Sequence, residues 1–354
     1  MNRKERIEKF REIAKERILI FDGAWGTMIQ DYGFIEDDFR NDKFADHPCD
    51  LKGNNDILSI SRPEALKEIA RAYMEAGADI ILTNTFSATE ISQADYECEP
   101  HVHEINLNAA KINREAADKM TEETPDKPRF VAGSIGPTNK TLSLSPDVNK
   151  PEYREISFDY LKDVYKAQAR ALAEGEVDFF VVETIFDTLN AKAAIAAIME
   201  LEEETGDHIP TVLSGTITDK SGRTLSGQTV EAFWHSIRHV KPLMVGLNCA
   251  LGAEDMEPFL ADLSRAADCL VHAYPNAGLP NEMGEYDESP EAMSEQLGRW
   301  AKRGLINAIG GCCGTTPDHI RAIAEAVGGH STRSLPEKEV AMRLSGLEPF
   351  TAAA

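Results

Sequence analysis

Eight short apolar or β-branched runs, each followed by turn residues and then by a longer amphipathic segment, recur along this chain of 354 residues. They are Ile18 to Phe21, Asp79 to Thr83, Phe130 to Ser134, Asp178 to Glu183, Thr211 to Gly215, Leu243 to Leu247, Cys269 to Ala273 and Leu305 to Ile309. Runs of this length read as strands, and the amphipathic returns between them read as crossover helices. Several lead-ins repeat a pattern in which a glycine stops a helix before the next strand: Ala76-Gly77-Ala78-Asp79, Glu174-Gly175-Glu176-Val177-Asp178 and Lys302-Arg303-Gly304. Eight such units favour an α/β chain closed into a (β/α)8 TIM barrel, with its active site at the C-terminal ends of the strands. A doubly wound sheet would also alternate strands and helices, but it usually carries a glycine fingerprint after its first strand. Here that place holds Asp22-Gly23-Ala24-Trp25-Gly26-Thr27, which is not G-x-G-x-x-G.

The helices have readable ends. Arg62-Pro63-Glu64 opens one with proline in its first turn, and Asp187 or Thr188 can cap the segment Leu189 to Leu201. Residues 31–56 and 138–153 are long for plain connections, and segments of that length are usually functional or lid-like. The repeat ends near residue 327, so 1–327 is expected to be the barrel and 328–354 a linker.

Acidic residues outnumber basic ones by 60 to 37, a net charge of −23, without the clustered Lys and Arg that a nucleic-acid partner requires. The acids are spread along the chain, which describes a solvated surface and no particular chemistry. The start, Met1-Asn2-Arg3-Lys4-Glu5-Arg6, runs into further charges where a signal peptide would turn apolar, and reads as a helix. No run approaches the roughly 20 apolar residues of a membrane helix. Six cysteines in a chain this long are too few for a secreted disulfide framework, so a soluble, cytoplasmic protein with free thiols is expected.

If the chain is a barrel, chemistry belongs to the residues that end each strand. These include Asp22, Asn84-Thr85, Glu183, Asn248-Cys249, Pro275-Asn276 and Gly310-Gly311-Cys312-Cys313-Gly314. Neighbouring Cα atoms stand about 3.8 Å apart, whereas a disulfide usually needs about 4.4 Å or more, so Cys312 and Cys313 make a poor pair for one another. On a strand they would face opposite ways, yet the glycines around them free the backbone to aim both sulfurs at the barrel mouth. With Cys249 they form a soft, three-sulfur set suited to Zn2+, with one tetrahedral corner left for a reactant.

A bland reading stands beside each of these. Isolated cysteines are more often small buried hydrophobes than ligands, and Cys49, Cys98 and Cys269 are read that way. His101 and His103, two apart near a helix start, would not share a helix face and are expected at the surface. Asp22-Gly23 is also an ordinary turn dipeptide. As strand-tip carboxylates, Asp22 and Glu183 could instead meet a ligand ammonium, and Gly136-Pro137-Thr138-Asn139 could offer backbone N–H groups to a substrate carboxylate.

Taken together, these stretches resemble the homocysteine-binding domain of cobalamin-dependent methionine synthases, within the homocysteine S-methyltransferase family. The resemblance runs through Asp22-Gly23 with Gly26 to Gln30, Leu51 to Asp56, Gly77 to Ile81, Thr83 to Phe86, Gly136 to Asn139 and Glu183 to Thr188. It continues through Ser214 to Ile217, Gly246 to Gly252, Pro275 to Pro280 and Gly310 to Thr315, so it spans nearly the whole chain. Leu51 to Asp56 and Cys249 to Gly252 point to the cobalamin-dependent branch. The resemblance implies that Cys249, Cys312 and Cys313 bind zinc and that homocysteine sulfur takes the fourth position, which Asn276 fills when substrate is absent. It also implies that Asp22 and Glu183 hold the substrate amino group, with Thr85 among the substrate-binding residues. The methyl donor implied is methylcobalamin carried on a separate module. Cobalamin- and folate-binding modules, of the same enzyme or of another chain, are the implied partners, and Leu344 to Phe350 looks like a link toward the folate module.

A free thiol near pKa 8.5 is only slightly ionised at neutral pH, and zinc coordination would remove that limitation. Three alternatives stay open on the sequence: a homocysteine methyltransferase using betaine or S-methylmethionine, a homocysteine-binding module inactive by itself, and a barrel lyase with a purely structural zinc. The last needs a fourth fixed ligand, and no further paired Cys or His supplies one.

Overall fold

The eight runs form eight parallel strands in the computed structural model, which describes residues 1–352. They are β1 (Leu19–Ile20), β2 (Ile80–Leu82), β3 (Phe130–Ile135), β4 (Phe179–Ile185), β5 (Thr211–Gly215), β6 (Met244–Gly252), β7 (Leu270–Asn276) and β8 (Ala308–Ile309). Each hydrogen-bonds to its neighbours in chain order, β8 returns to β1, and a parallel bridge between Phe21 and Ile80 joins β1 to β2. The expected (β/α)8 barrel is thus the fold observed.

Helix α1 (Arg3–Glu16) precedes the first strand, and one long helix follows each strand. These are α2 (Pro63–Ala76), α3 (Val102–Glu123), α4 (Phe158–Glu174), α5 (Thr188–Thr205), α6 (Val230–Ile237), α7 (Ala253–Ala266), α8 (Pro290–Lys302) and α9 (Pro317–Val327). The start signals act as read: Pro63 occupies the first turn of α2, and the Asp187 carboxylate accepts the Leu189 N–H to cap α5.

Alternate strand residues build two separate cores. Leu19, Phe21, Ile80, Leu82, Phe130, Ala132, Phe179, Val181, Val212, Met244 and Ala308 point into the barrel, while their neighbours, such as Val131, Phe180, Val182 and Val245, meet the helices. Helix α1 closes the lower end by adding Ile7, Phe10, Ile13 and Ala14 to the inner core, with Phe10 set edge-on to Phe130 at 5.2 Å. Its charged residues are anchored as well: buried Asp178 pairs with Arg6 and with Arg114 (2.9 Å), and Asp79 pairs with Arg17 (2.7 Å).

All strands but β5 differ in extent from their expected runs, β8 and β6 with a visible cause. β8 is shorter because the side chain of Asn307 takes the ladder's place, accepting the Val271 N–H (2.8 Å) and donating to the Arg333 carbonyl (2.7 Å). β6 is longer, continuing beyond Leu247 through a register shift between Asn248 and Gly252. Residues 31–56 contain short helical turns pinned by Glu36, whose carboxylate accepts the N–H groups of Leu51 (2.9 Å) and Lys52 (2.7 Å).

Beyond α9 the chain turns back along the barrel. Buried Arg333 donates to the carbonyls of Ser264, Ala267 and Cys269 at the end of α7, and a hairpin, β9 (Arg343–Ser345) with β10 (Pro349–Thr351), lies against α6. No described helix is long and apolar enough to cross a membrane.

Candidate active site at the barrel mouth

A cavity of about 1040 Å3 opens at the carboxyl ends of the strands. Cys249, Cys312, Cys313, Asp22 and Glu183 all line it.

The three thiols meet although they come from two strand tips. Their sulfurs lie within 4.8 Å of one another, with Cys249 Sγ 3.8 Å and Cys312 Sγ 4.0 Å from Cys313 Sγ. Sulfurs sharing one tetrahedral ion at about 2.3 Å each stand about 3.8 Å apart, so the spacing and the soft donor set fit Zn2+. Cys249 reaches this point because it does not continue the pleat. Met244, Gly246 and Asn248 follow the inward register, which would turn Cys249 outward, but Cys249 and Ala250 adopt left-handed φ angles of +59° and +58° and re-aim the chain. The Cys312-Cys313 turn is held from beneath: the Cys312 N–H donates to the Pro275 carbonyl (2.8 Å), and the Ala277 N–H donates to the Cys313 carbonyl (2.9 Å). Glycine is required at 311, where a Cβ would lie 2.4 Å from the Thr315 side chain, and at 314, where φ is +79° and Tyr286 packs on the backbone.

Hydrogen bonds from Cys249 and Cys312, helped by Tyr286, pull the Cys313 thiol down to about 3. The same contacts, with burial, push Cys312 well up. Asn276 ends β7 between the two residues that brace the cysteine turn, is buried, and has an Oδ1 with no hydrogen-bond partner among the described residues. Asn276 is not among the residues that line the cavity, but an orphaned buried carbonyl oxygen in the residue between those two braces is a donor of the kind a zinc ion takes.

The two carboxylates are held from inside the barrel. Asp22 Oδ2 accepts the Trp25 indole N–H (2.8 Å) and the Leu82 N–H (2.8 Å). Burial nevertheless pushes Asp22 up to about 8. Glu183 follows Phe179 and Val181 in the inward register and accepts from the Ser134 hydroxyl and from the Tyr274 phenol (3.5 Å). Burial raises it to about 7 against those hydrogen bonds. Both are poised to gain from a cation that replaces lost water.

Thr85 stands elsewhere. It is fully buried, its hydroxyl contacts Thr83 Oγ1 (2.6 Å) and donates to the Ser134 carbonyl (2.7 Å), and it does not line the cavity. Cys98 is buried in the outer core, Cys269 lies just before β7, and Cys49 donates to the Tyr96 carbonyl (3.2 Å). His101 lies edge-on to Phe44 and His103 pairs with Glu174 at the surface. Of the proposed backbone cradle, Pro137 and Asn139 reach the cavity. Trp25, Ser134, Tyr274 and Tyr286 escaped the sequence reading, and Asn248 was read as a strand tip without a role of its own. The inward alternation of β3 and β7 was the available signal for Ser134 and Tyr274.

The arrangement shares its architecture with solved structures of the homocysteine methyltransferase MmuM from Escherichia coli. The metallated form superposes with a TM-score of 0.68 at 21% identity, covering 89% of this chain and 98% of that one. The oxidized form gives 0.68 at 21% identity over 88% and 97% of the two chains, and the apo form 0.64 at 20% over 89% and 97%. At such identity the likeness is one of fold. The sequence itself goes further, for residues 19–327 match the profile of the homocysteine S-methyltransferase family, from the first strand of the barrel to the end of its last helix. The chain belongs to the homocysteine S-methyltransferase family.

Proposed function

We propose that this protein methylates homocysteine to methionine in the cytoplasm, with zinc on Cys249, Cys312 and Cys313 and with methylcobalamin, carried on a separate module, as donor. The observation that carries the reading is the convergence of three thiols, from β6 and from the turn after β8, beside two buried carboxyls that face one cavity. In this reading residues 1–327 are the catalytic barrel and 328–354 connect toward a folate-binding module.

A zinc ion on the three sulfurs would lower the pKa of the homocysteine thiol so that it is a thiolate at neutral pH. Asn276 would take the fourth position when substrate is absent. Asp22 and Glu183 receive the substrate ammonium, giving up protons as the new cation offsets the penalty of their burial. Thr85 serves the same site by bracing Ser134, which in turn bonds Glu183. Fixing the amino end in this way sets the direction in which the sulfur faces the donor. A bond from sulfur to methyl then forms as the donor's bond to methyl breaks, the electron pair leaving with the donor. The donor is assigned on the likeness of Leu51 to Asp56 and of Cys249 to Gly252 to the cobalamin-dependent branch of the family.

Three measurements test the proposal. Cys312→Ala should lose zinc and turnover together, and a folded variant with full zinc content rejects the ligand assignment. Calorimetry of homocysteine binding near pH 7, in buffers of different ionisation enthalpy, should show net proton release; none would contradict the thiolate chemistry. Turnover with betaine or S-methylmethionine, but not with methylcobalamin, would reassign the donor.

A further inference from the structure

Two bulges shape the site, one in β4 between Val182 and Ile185 and one in β6 between Asn248 and Gly252. Each contains residues in the left-handed region: Thr184 at φ +56°, and Cys249 with Ala250. A β-branched threonine there is a genuine backbone outlier that surrounding contacts must hold. The contact that does so comes from the other bulge. Buried Asn248 accepts the Thr184 N–H on Oδ1 (3.0 Å) and donates through Nδ2 to Thr184 Oγ1 (2.8 Å). Between the two strands, the Thr216 hydroxyl donates to the Asn248 carbonyl (3.0 Å) and the Thr216 N–H to the Ile185 carbonyl (2.9 Å), so the tips of β4, β5 and β6 are tied together. Glu183 precedes Thr184 and Cys249 follows Asn248 in the chain, so one amide joins the carboxylate side of the site to the sulfur side.

We infer that Asn248 is a positioning residue: its amide holds Thr184 in the left-handed conformation and thereby fixes Glu183 and Cys249 relative to one another. The inference rests on the proposed roles of those two residues. Without the amide, Thr184 relaxes toward an extended conformation, and the two halves of the site lose their common reference. The polarity of the clamp is also set. A backbone N–H can only donate, so Oδ1 faces it, Nδ2 faces the hydroxyl, and the hydroxyl proton of Thr184 remains available to the cavity that Thr184 lines.

The test compares Asn248→Ala with the double variant Asn248→Ala/Thr184→Gly, measuring zinc affinity by chelator competition and homocysteine affinity by calorimetry. The single change should weaken both by about 10-fold or more, as loss of a support behind a metal ligand does. The double variant should recover most of that loss, because glycine adopts positive φ freely and adds no contact of its own. Wild-type affinities in Asn248→Ala, or no recovery in the double variant, overturn the inference. Should Asn248→Ala fail to fold, Thr184→Val is expected to weaken homocysteine binding while Thr184→Ser stays near wild type; equal behaviour of the two also overturns it. A wild-type chain that binds neither zinc nor homocysteine would defeat the proposed function itself, a result distinct from either failure.

Discussion

Asp22 and Glu183 show how far a barrel mouth moves a residue from its ordinary chemistry. Their carboxyls rise to about 8 and about 7 because burial strips them of water, and the hydrogen bonds from Leu82, Trp25, Ser134 and Tyr274 only partly compensate. The folded-state values lie above the unfolded ones, so between about pH 4 and pH 8 the native state holds protons that the unfolded chain has released, and stability falls as pH rises. Asp22→Asn keeps a carbonyl acceptor for the Leu82 and Trp25 N–H groups but has nothing to ionise. Its melting temperature should fall less steeply than that of the wild type across this window, while its affinity for homocysteine drops. Parallel melting curves for the two proteins would show that Asp22 does not carry the effect. The carboxylates and the cysteine pair were legible because their side-chain types are conspicuous at strand tips. Ser134 and Tyr274 were not, and Asn248 was legible only as a strand tip, because Asn, Ser and Tyr occur everywhere and acquire a role only from what they touch.

At the scale of elements, the periodicity that reveals a strand says little about where it bends. Inward alternation along β4 and β7 carries Glu183 and Tyr274 into the barrel as the sequence pattern implies. Alternation along β6 fails at Cys249, where the bulge re-aims the side chain, and no glycine marks the place. The N-terminal helix was legible as a helix, but its seat beneath the barrel was not, since the pairing of Arg6 with Asp178 spans 172 residues of chain. That seat is testable. Asp178→Ala leaves the buried guanidinium groups of Arg6 and Arg114 without their shared carboxylate, and the Val131 N–H without its acceptor (2.8 Å). Breaking a buried ion pair from one side costs about 3–5 kcal/mol. A loss below about 1 kcal/mol in chemical denaturation, the value of a surface pair, would mean that the network contributes little to the fold.

For the whole molecule, the segment after residue 327 decides where the globule ends. Arg333 spends its guanidinium on the carbonyls of Ser264, Ala267 and Cys269, and its N–H donates to the Ile306 carbonyl (3.1 Å), so the chain is fastened across α7 and the start of β8. Arg333→Ala should cost about 2 kcal/mol, the value of charge-assisted hydrogen bonds left unmade. It should also make the chain beyond residue 333 accessible to limited proteolysis while the barrel stays intact; an unchanged digestion pattern would show that the hairpin against α6 holds the segment unaided. By itself the sequence determined the (β/α)8 architecture and the chemical kind of site, because hydrophobic period, helix-stop glycines and adjacent cysteines are local properties of the chain. Only the tertiary structure decided that Cys249 turns toward Cys312 and Cys313, that Asn248 ties the two bulges, and that burial raises both carboxyls. Each of these depends on which strand tips are neighbours once the sheet has closed, and on how little water remains between them.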